Sequence, residues 1–116
     1  MIDIVTEIHS NQEFVLKRCN IDRAEFFEIV KKEISILQEF TSPYIVKLLD
    51  SAIIEKNNSS KEALLLMEYY PGGHLLERLN KRNGTLLPLD SIYRIFGYIL
   101  LGVKPFHEHR PIIINR

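Results

Sequence analysis

Two ionisable side chains sixteen residues apart, Lys17 and Glu33, are the pair in this 116-residue chain best suited to chemistry. Glu33 falls among Phe26, Val30, Leu37 and Phe40, and successive spacings of four, three, four and three put all five on one helical face. Taking an unpartnered carboxylate out of water costs on the order of several kcal/mol, so such a residue gains a proton or finds a cation. Phe14-Val15-Leu16-Lys17 offers the cation: the period of two along a strand puts Lys17 on the face of Val15, where a following helix can meet its ammonium. A buried pair of this kind can hold an anion such as a nucleotide phosphate on its open side. The alternative is an ordinary exposed strand lysine and a partly solvated helix glutamate, and spacing alone does not separate the two.

The elements that must position this pair are legible in outline. Ile2 to Val5 and Glu13 to Lys17 have strand character, joined across the polar His9-Ser10-Asn11-Gln12. From Asp22 the period changes to 3.6, with Asp22 as N-cap and Glu25 completing a capping-box-like spacing, and the helix is expected to reach Phe40. Thr41-Ser42-Pro43 ends it, and Tyr44-Ile45-Val46 resumes with β-formers. A second hairpin is expected from Lys47 to Glu55 and Ala63 to Tyr70, across a solvent loop of residues 56–62. The unbroken run Leu64-Leu65-Leu66-Met67 marks a strand buried on both faces, ended by Pro71-Gly72-Gly73. A short helix from His74 to Arg82 stops near Asn83-Gly84, and Asp90 caps a longer one carrying Ile92, Ile95 or Phe96, Ile99, Val103 and Phe106, with Pro105 kinking its last turn. Strands joined mainly by hairpins imply an α+β fold, an antiparallel sheet packed by helices.

Composition narrows the partners. Fifteen Lys and Arg balance fifteen Asp and Glu with no long run of either sign, which does not favour nucleic acid or an anionic membrane. Cys19 is the single cysteine, so neither an internal disulfide nor a cysteine metal cluster is available. The charged first ten residues lack the apolar centre of a signal peptide, and Ile95 to Val103 is too short to span a bilayer; the expectation is a reduced, cytoplasmic protein. Sequons at Asn57, Asn58 and Asn83 read as loop composition. His107 and His109, two apart, point to different helix faces and make a poor metal pair, and Phe26-Phe27 and Tyr69-Tyr70 read as core aromatics.

The order of these features resembles the amino-terminal lobe of a eukaryotic protein kinase. Phe14-Val15-Leu16-Lys17-Arg18 is similar to the V-A-I-K segment of that lobe, with Val15 where Ala is usual. On this resemblance Lys17 matches the lysine that contacts the α- and β-phosphates of ATP, and Glu33 matches its αC partner. The stretch from Leu64 to Leu75 resembles the fifth strand and hinge, with Met67 as gatekeeper and the Glu68 and Tyr70 backbones facing adenine. Together with Leu16-Lys17-Arg18 and His107-Glu108-His109-Arg110-Pro111-Ile112-Ile113, it is most similar to the Numb-associated Ser/Thr kinases. That group implies ATP and Mg²⁺ as cofactors and protein substrates, often endocytic adaptors.

Departures qualify the resemblance. Asn115-Arg116 falls at the His-Arg positions of the catalytic loop, and the residue that would supply the catalytic Asp lies beyond Arg116. No D-F-G metal site and no G-x-G-x-x-G loop before Lys17 occurs within the 116 residues, and Met1 to Val5 corresponds to the family's second strand. The expectation is a partial Ser/Thr kinase domain: residues 1–70 give four of five strands and the αC helix, and 71–116 give the hinge exit and the first two helices of the carboxy-terminal lobe. Such a chain would bind ATP weakly or not at all, hold no Mg²⁺ ligand set and be inactive. The alternative is a non-catalytic, pseudokinase-like binding module.

Overall fold

The computed structural model describes residues 1–57 and 60–114. The Asn57 and Asn58 sequons run through residues 58 and 59, and the placement of Asn115-Arg116 at the His-Arg positions falls on the last two residues; these expectations lie outside the described residues. The elements are β1 (Ile2–Thr6), β2 (Glu13–Ile21), α1 (Ala24–Glu39), β3 (Leu48–Asn57), β4 (Ser60–Glu68), α2 (Leu75–Asn80) and α3 (Leu89–Glu108). All four strands pair antiparallel in the order β1-β2-β4-β3, so the α+β expectation with a four-stranded antiparallel sheet holds.

The chain divides into two compact units. The first comprises Met1–Thr41 and Val46–Tyr69, the second Ser42–Ile45 and Tyr70–Arg116. In the first, β4 lies inside the sheet, and its apolar run explains why: Ala63 and Leu65 are buried against Ile21 of β2 and Val30 and Ile34 of α1. Cys19, Phe27, Leu37 and Leu48 pack around that cluster. Removing these side chains from water is the main local force fixing α1 on the sheet.

Several boundaries differ from expectation. The expected solvent loop of residues 56–62 is taken up by strand at both ends: Lys56 and Asn57 extend β3, and Ser60, Lys61 and Glu62 begin β4. Cross-strand partners make the polar run compatible with pairing, since Glu55 faces Lys61 with Oε1 and Nζ 3.8 Å apart, and Asn57 faces Ser60 and accepts from its amide and hydroxyl. Tyr44-Ile45-Val46 is not a strand; the Ser42 hydroxyl accepts from the Tyr44 amide and the Ser42 carbonyl from the Ile45 amide, holding a turn. Asp22 does not cap α1, whose N-cap is Arg23 without a side-chain cap bond, and Asp90 lies in the first turn of α3, whose N-cap is Pro88. In that first turn its charge still favours the helix dipole. The α3 helix continues through Pro105 to Glu108.

In the second unit, α2 starts with a reciprocal cap. The Glu77 amide donates to His74 Nδ1 at 3.2 Å and the His74 amide donates to Glu77 Oε2 at 3.4 Å. In the same unit Tyr44 stacks on Tyr98 of α3 with ring centroids 5.2 Å apart. One helical turn on, Gly102 is buried, and a Cβ built there would stand 2.7 Å from the Tyr44 carbonyl oxygen. This glycine is required by close backbone approach.

Candidate functional site

Lys17 and Glu33 meet. Lys17 Nζ donates to Glu33 Oε1 at 3.2 Å, across from β2 to α1. The strand supplies the direction, because Lys17 shares its sheet face with Cys19 and Ile21, which pack toward α1. Glu33, however, is not the buried carboxylate that its sequence surroundings suggest. The core face of α1 is Phe27, Val30, Ile34 and Leu37, spaced three, four and three, whereas Phe26 is 47% exposed. Two overlapping apolar stripes share Val30 and Leu37, and the one without a charge turns inward, leaving Glu33 on its flank. The paired side chains keep 35% and 43% of their surface, and an ion pair this wet contributes about 0–1 kcal/mol. Its value is directional: it holds an ammonium with solvent on one side, where a phosphate can approach.

The other residues singled out from sequence fall as follows. Val15 pairs with Met67 between β2 and β4, two residues along from Lys17 on the same sheet face, so both belong with Lys17 in the first unit. Glu68 ends β4 opposite Phe14, and its amide donates to the Lys47 carbonyl at 3.3 Å. Tyr70 opens the contiguous part of the second unit, where its carbonyl accepts from the Gly73 amide at 3.4 Å. Gly73 needs its φ of 75° for that turn. Two open hollows, one along α3 at Leu100, Val103 and Arg110, about 430 Å³, and one between α1 and β3 at Ile34, Ser35 and Ile53, about 340 Å³, are lined by neither Lys17 nor Glu33.

The buried carboxylate is Glu62, only 4% exposed, which a loop assignment for residues 56–62 concealed. Its Oε1 accepts from Arg18 Nε at 3.0 Å, and the Lys56 ammonium stands 3.4 Å from its Oε2. Lys56 also donates to Asn20 Oδ1 at 3.2 Å. Burial pushes the Glu62 carboxyl up, but the hydrogen bond and charge of Arg18, then the nearby Lys56 ammonium, outweigh it and hold the group below its ordinary value, although Oε2 itself accepts no hydrogen bond from the described residues. The available signal was its position directly before Ala63-Leu64-Leu65, where strand alternation carries back into the polar run.

An ammonium held this way can meet an anion from its open side. Among the described residues no group of three His, Cys, Asp or Glu is placed to hold a metal ion. Residues 2–116 match the family model described as the protein kinase domain. The chain is 37% identical over 97% of its length to a probable serine/threonine-protein kinase of Dictyostelium discoideum, spanning 10% of that protein. It is 31% identical over 92% of its length to the serine/threonine-protein kinase Nek3 of Mus musculus, spanning 20% of it, and 32% identical over 83% to Nek5 of Homo sapiens, spanning 13%. The chain therefore spans a tenth to a fifth of the length of these relatives.

Proposed function

This chain belongs to the protein kinase domain family, and on that footing we propose that it carries part of the ATP site of a Ser/Thr kinase. Lys17 meets the α- and β-phosphates, Glu33 orients it, and Val15, Met67 and the Glu68 and Tyr70 backbones serve the adenine. The observation that carries this reading is the 3.2 Å contact between Lys17 and Glu33, joining β2 to α1 within the matched region. Residues 1–70 then act as the amino-terminal lobe and 71–116 as the start of the carboxy-terminal lobe.

For the whole protein the proposed reaction is transfer of the ATP γ-phosphate to a protein Ser or Thr, with Mg²⁺ as the family's cofactor and the cytoplasm as its setting. Leu16-Lys17-Arg18, Leu64 to Leu75 and His107 to Ile113 support a Numb-associated type with endocytic adaptors as substrates, against which the identities to Nek kinases weigh. A preparation of these 116 residues alone holds no D-F-G triplet and is expected to bind ATP weakly without turnover. A second reading, a non-catalytic binding module, is favoured by the exposed apolar side chains Leu89, Tyr93, Phe96 and Leu100 of α3.

The test is thermal. ATP should raise the melting temperature of the 116-residue chain, and Lys17→Ala should reduce the shift; a parent chain that ATP leaves unmoved overturns the nucleotide reading. Labelled ATP with Mg²⁺ and a generic Ser/Thr substrate should give no incorporation above buffer. Turnover that Lys17→Ala abolishes would overturn the inactivity.

A further inference from the structure

Lys17 and Arg18 are neighbours on β2 and therefore point to opposite faces of the sheet. Lys17 meets Glu33 on the α1 side in a pair that water reaches from both partners, too weak to hold a long side chain in one geometry. Arg18 meets Glu62 on the other side, and there the carboxylate is out of water. Glu62 belongs to β4 and stands opposite Asn20 of β2, so its bond to Arg18 runs diagonally between adjacent strands. Lys56 of β3 approaches the second carboxylate oxygen and reaches Asn20, so cations from β2 and β3 converge on one buried β4 carboxylate.

We infer that Glu62 is a positioning residue for Lys17: by fixing Arg18 from the opposite face, it sets the roll of β2 about its own axis and so aims the neighbouring ammonium at Glu33. The inference rests on the proposed role of Lys17 at a nucleotide phosphate, but the geometry it describes exists without nucleotide. A strand is a stiff ribbon with alternating side chains, so rotation that releases Arg18 also swings Lys17. Arg18 and Lys56 are themselves half in water, but Glu62 is not, and this contact resists that rotation more than the Lys17–Glu33 pair because Glu62 left without Arg18, its side-chain hydrogen-bond donor, would keep a desolvated charge with one cation fewer.

The test reads Lys17 directly. In the 116-residue chain the ammonium NMR resonance of Lys17 is assigned by its loss in Lys17→Arg, and its position with the pair broken is given by Glu33→Gln. Glu62→Gln and Arg18→Gln should each move the resonance toward the Glu33→Gln position, at a temperature where circular dichroism shows the fold retained. Lys56→Gln should lower the melting temperature yet leave the resonance in place. Where the parent binds ATP, the first two variants should weaken binding about three- to tenfold. A parent that does not bind ATP defeats the nucleotide reading alone, and the resonance still decides the positioning role. An unmoved resonance in Arg18→Gln overturns the inference, even if Glu62→Gln does not fold. So does Lys56→Gln moving it as far as Arg18→Gln does, because general loosening then suffices.

Discussion

At the scale of single residues, the two carboxylates exchange the properties their sequence neighbourhoods suggest. Glu33 sits among apolar residues and is half in water, while Glu62 sits in a polar run and is buried. Acid should expose this difference. Arg18 and Lys56 hold the folded Glu62 carboxyl below its ordinary value, so its contribution to stability is complete above the unfolded carboxylate value, about 4.3 for Glu, and is lost as pH falls through the lower folded value. Urea midpoints measured from pH 7 downward should therefore fall more steeply for the parent below about pH 4 than for Glu62→Gln, which should start lower and run flatter. Parallel curves would contradict the assignment. Lys17 and Glu33 were legible as candidate partners from strand and helix periods, and as a pair only with the kinase resemblance beside them, while which of two overlapping apolar stripes turns inward depends on the sheet beneath, where Phe27 and not Phe26 packs on the core.

At the scale of elements, α3 holds two glycines with opposite meanings. Gly97 has open space where a Cβ would go, whereas a Cβ on Gly102 would press on the Tyr44 carbonyl oxygen. Gly97→Ala should stabilise by up to about 1 kcal/mol through helix propensity alone. Gly102→Ala gains the same term but meets a backbone atom that must shift, an overpacking cost of about 1–3 kcal/mol, so the balance should be a loss or near zero. Chemical denaturation should show Gly97→Ala more stable than the parent and Gly102→Ala no more stable than it. The helix itself was readable from its stripe, and so was the apolar strand β4. Its partner contacts were not, since Tyr44-Ile45-Val46 has the composition of a strand and becomes a turn when the Ser42 hydroxyl and carbonyl take up the amides of Tyr44 and Ile45. The caps failed for a related reason: Asp22 and Asp90 are good capping residues placed one and two positions away from the Arg23 and Pro88 that occupy the N-caps.

At the scale of the whole molecule, the chain passes between its two compact units three times, after Thr41, after Ile45 and after Tyr69. Residues 1–69 expressed with residues 70–116 as a separate chain should co-purify, because the first piece carries Tyr44 and the second carries Tyr98 and Gly102. Tyr44→Ala in the first piece should weaken recovery of the second. Pieces that separate freely in both cases would show that this packing contributes little. The division was only half visible in the sequence: Pro71-Gly72-Gly73 announces a break in the chain, but nothing in Ser42-Pro43-Tyr44-Ile45 declares which unit it will join.

That four-residue excursion has a consequence for anyone cutting the protein into parts. A subdomain is usually excised with one snip at each end, but no contiguous stretch of this sequence contains the α3 unit and nothing else. Any segment that brings Tyr44 along with Gly102 must begin by Ser42, and it then imports β3 and β4 without the β2 strand that β4 pairs with. The smallest portable version of the helical unit is a graft of two peptides, not a fragment.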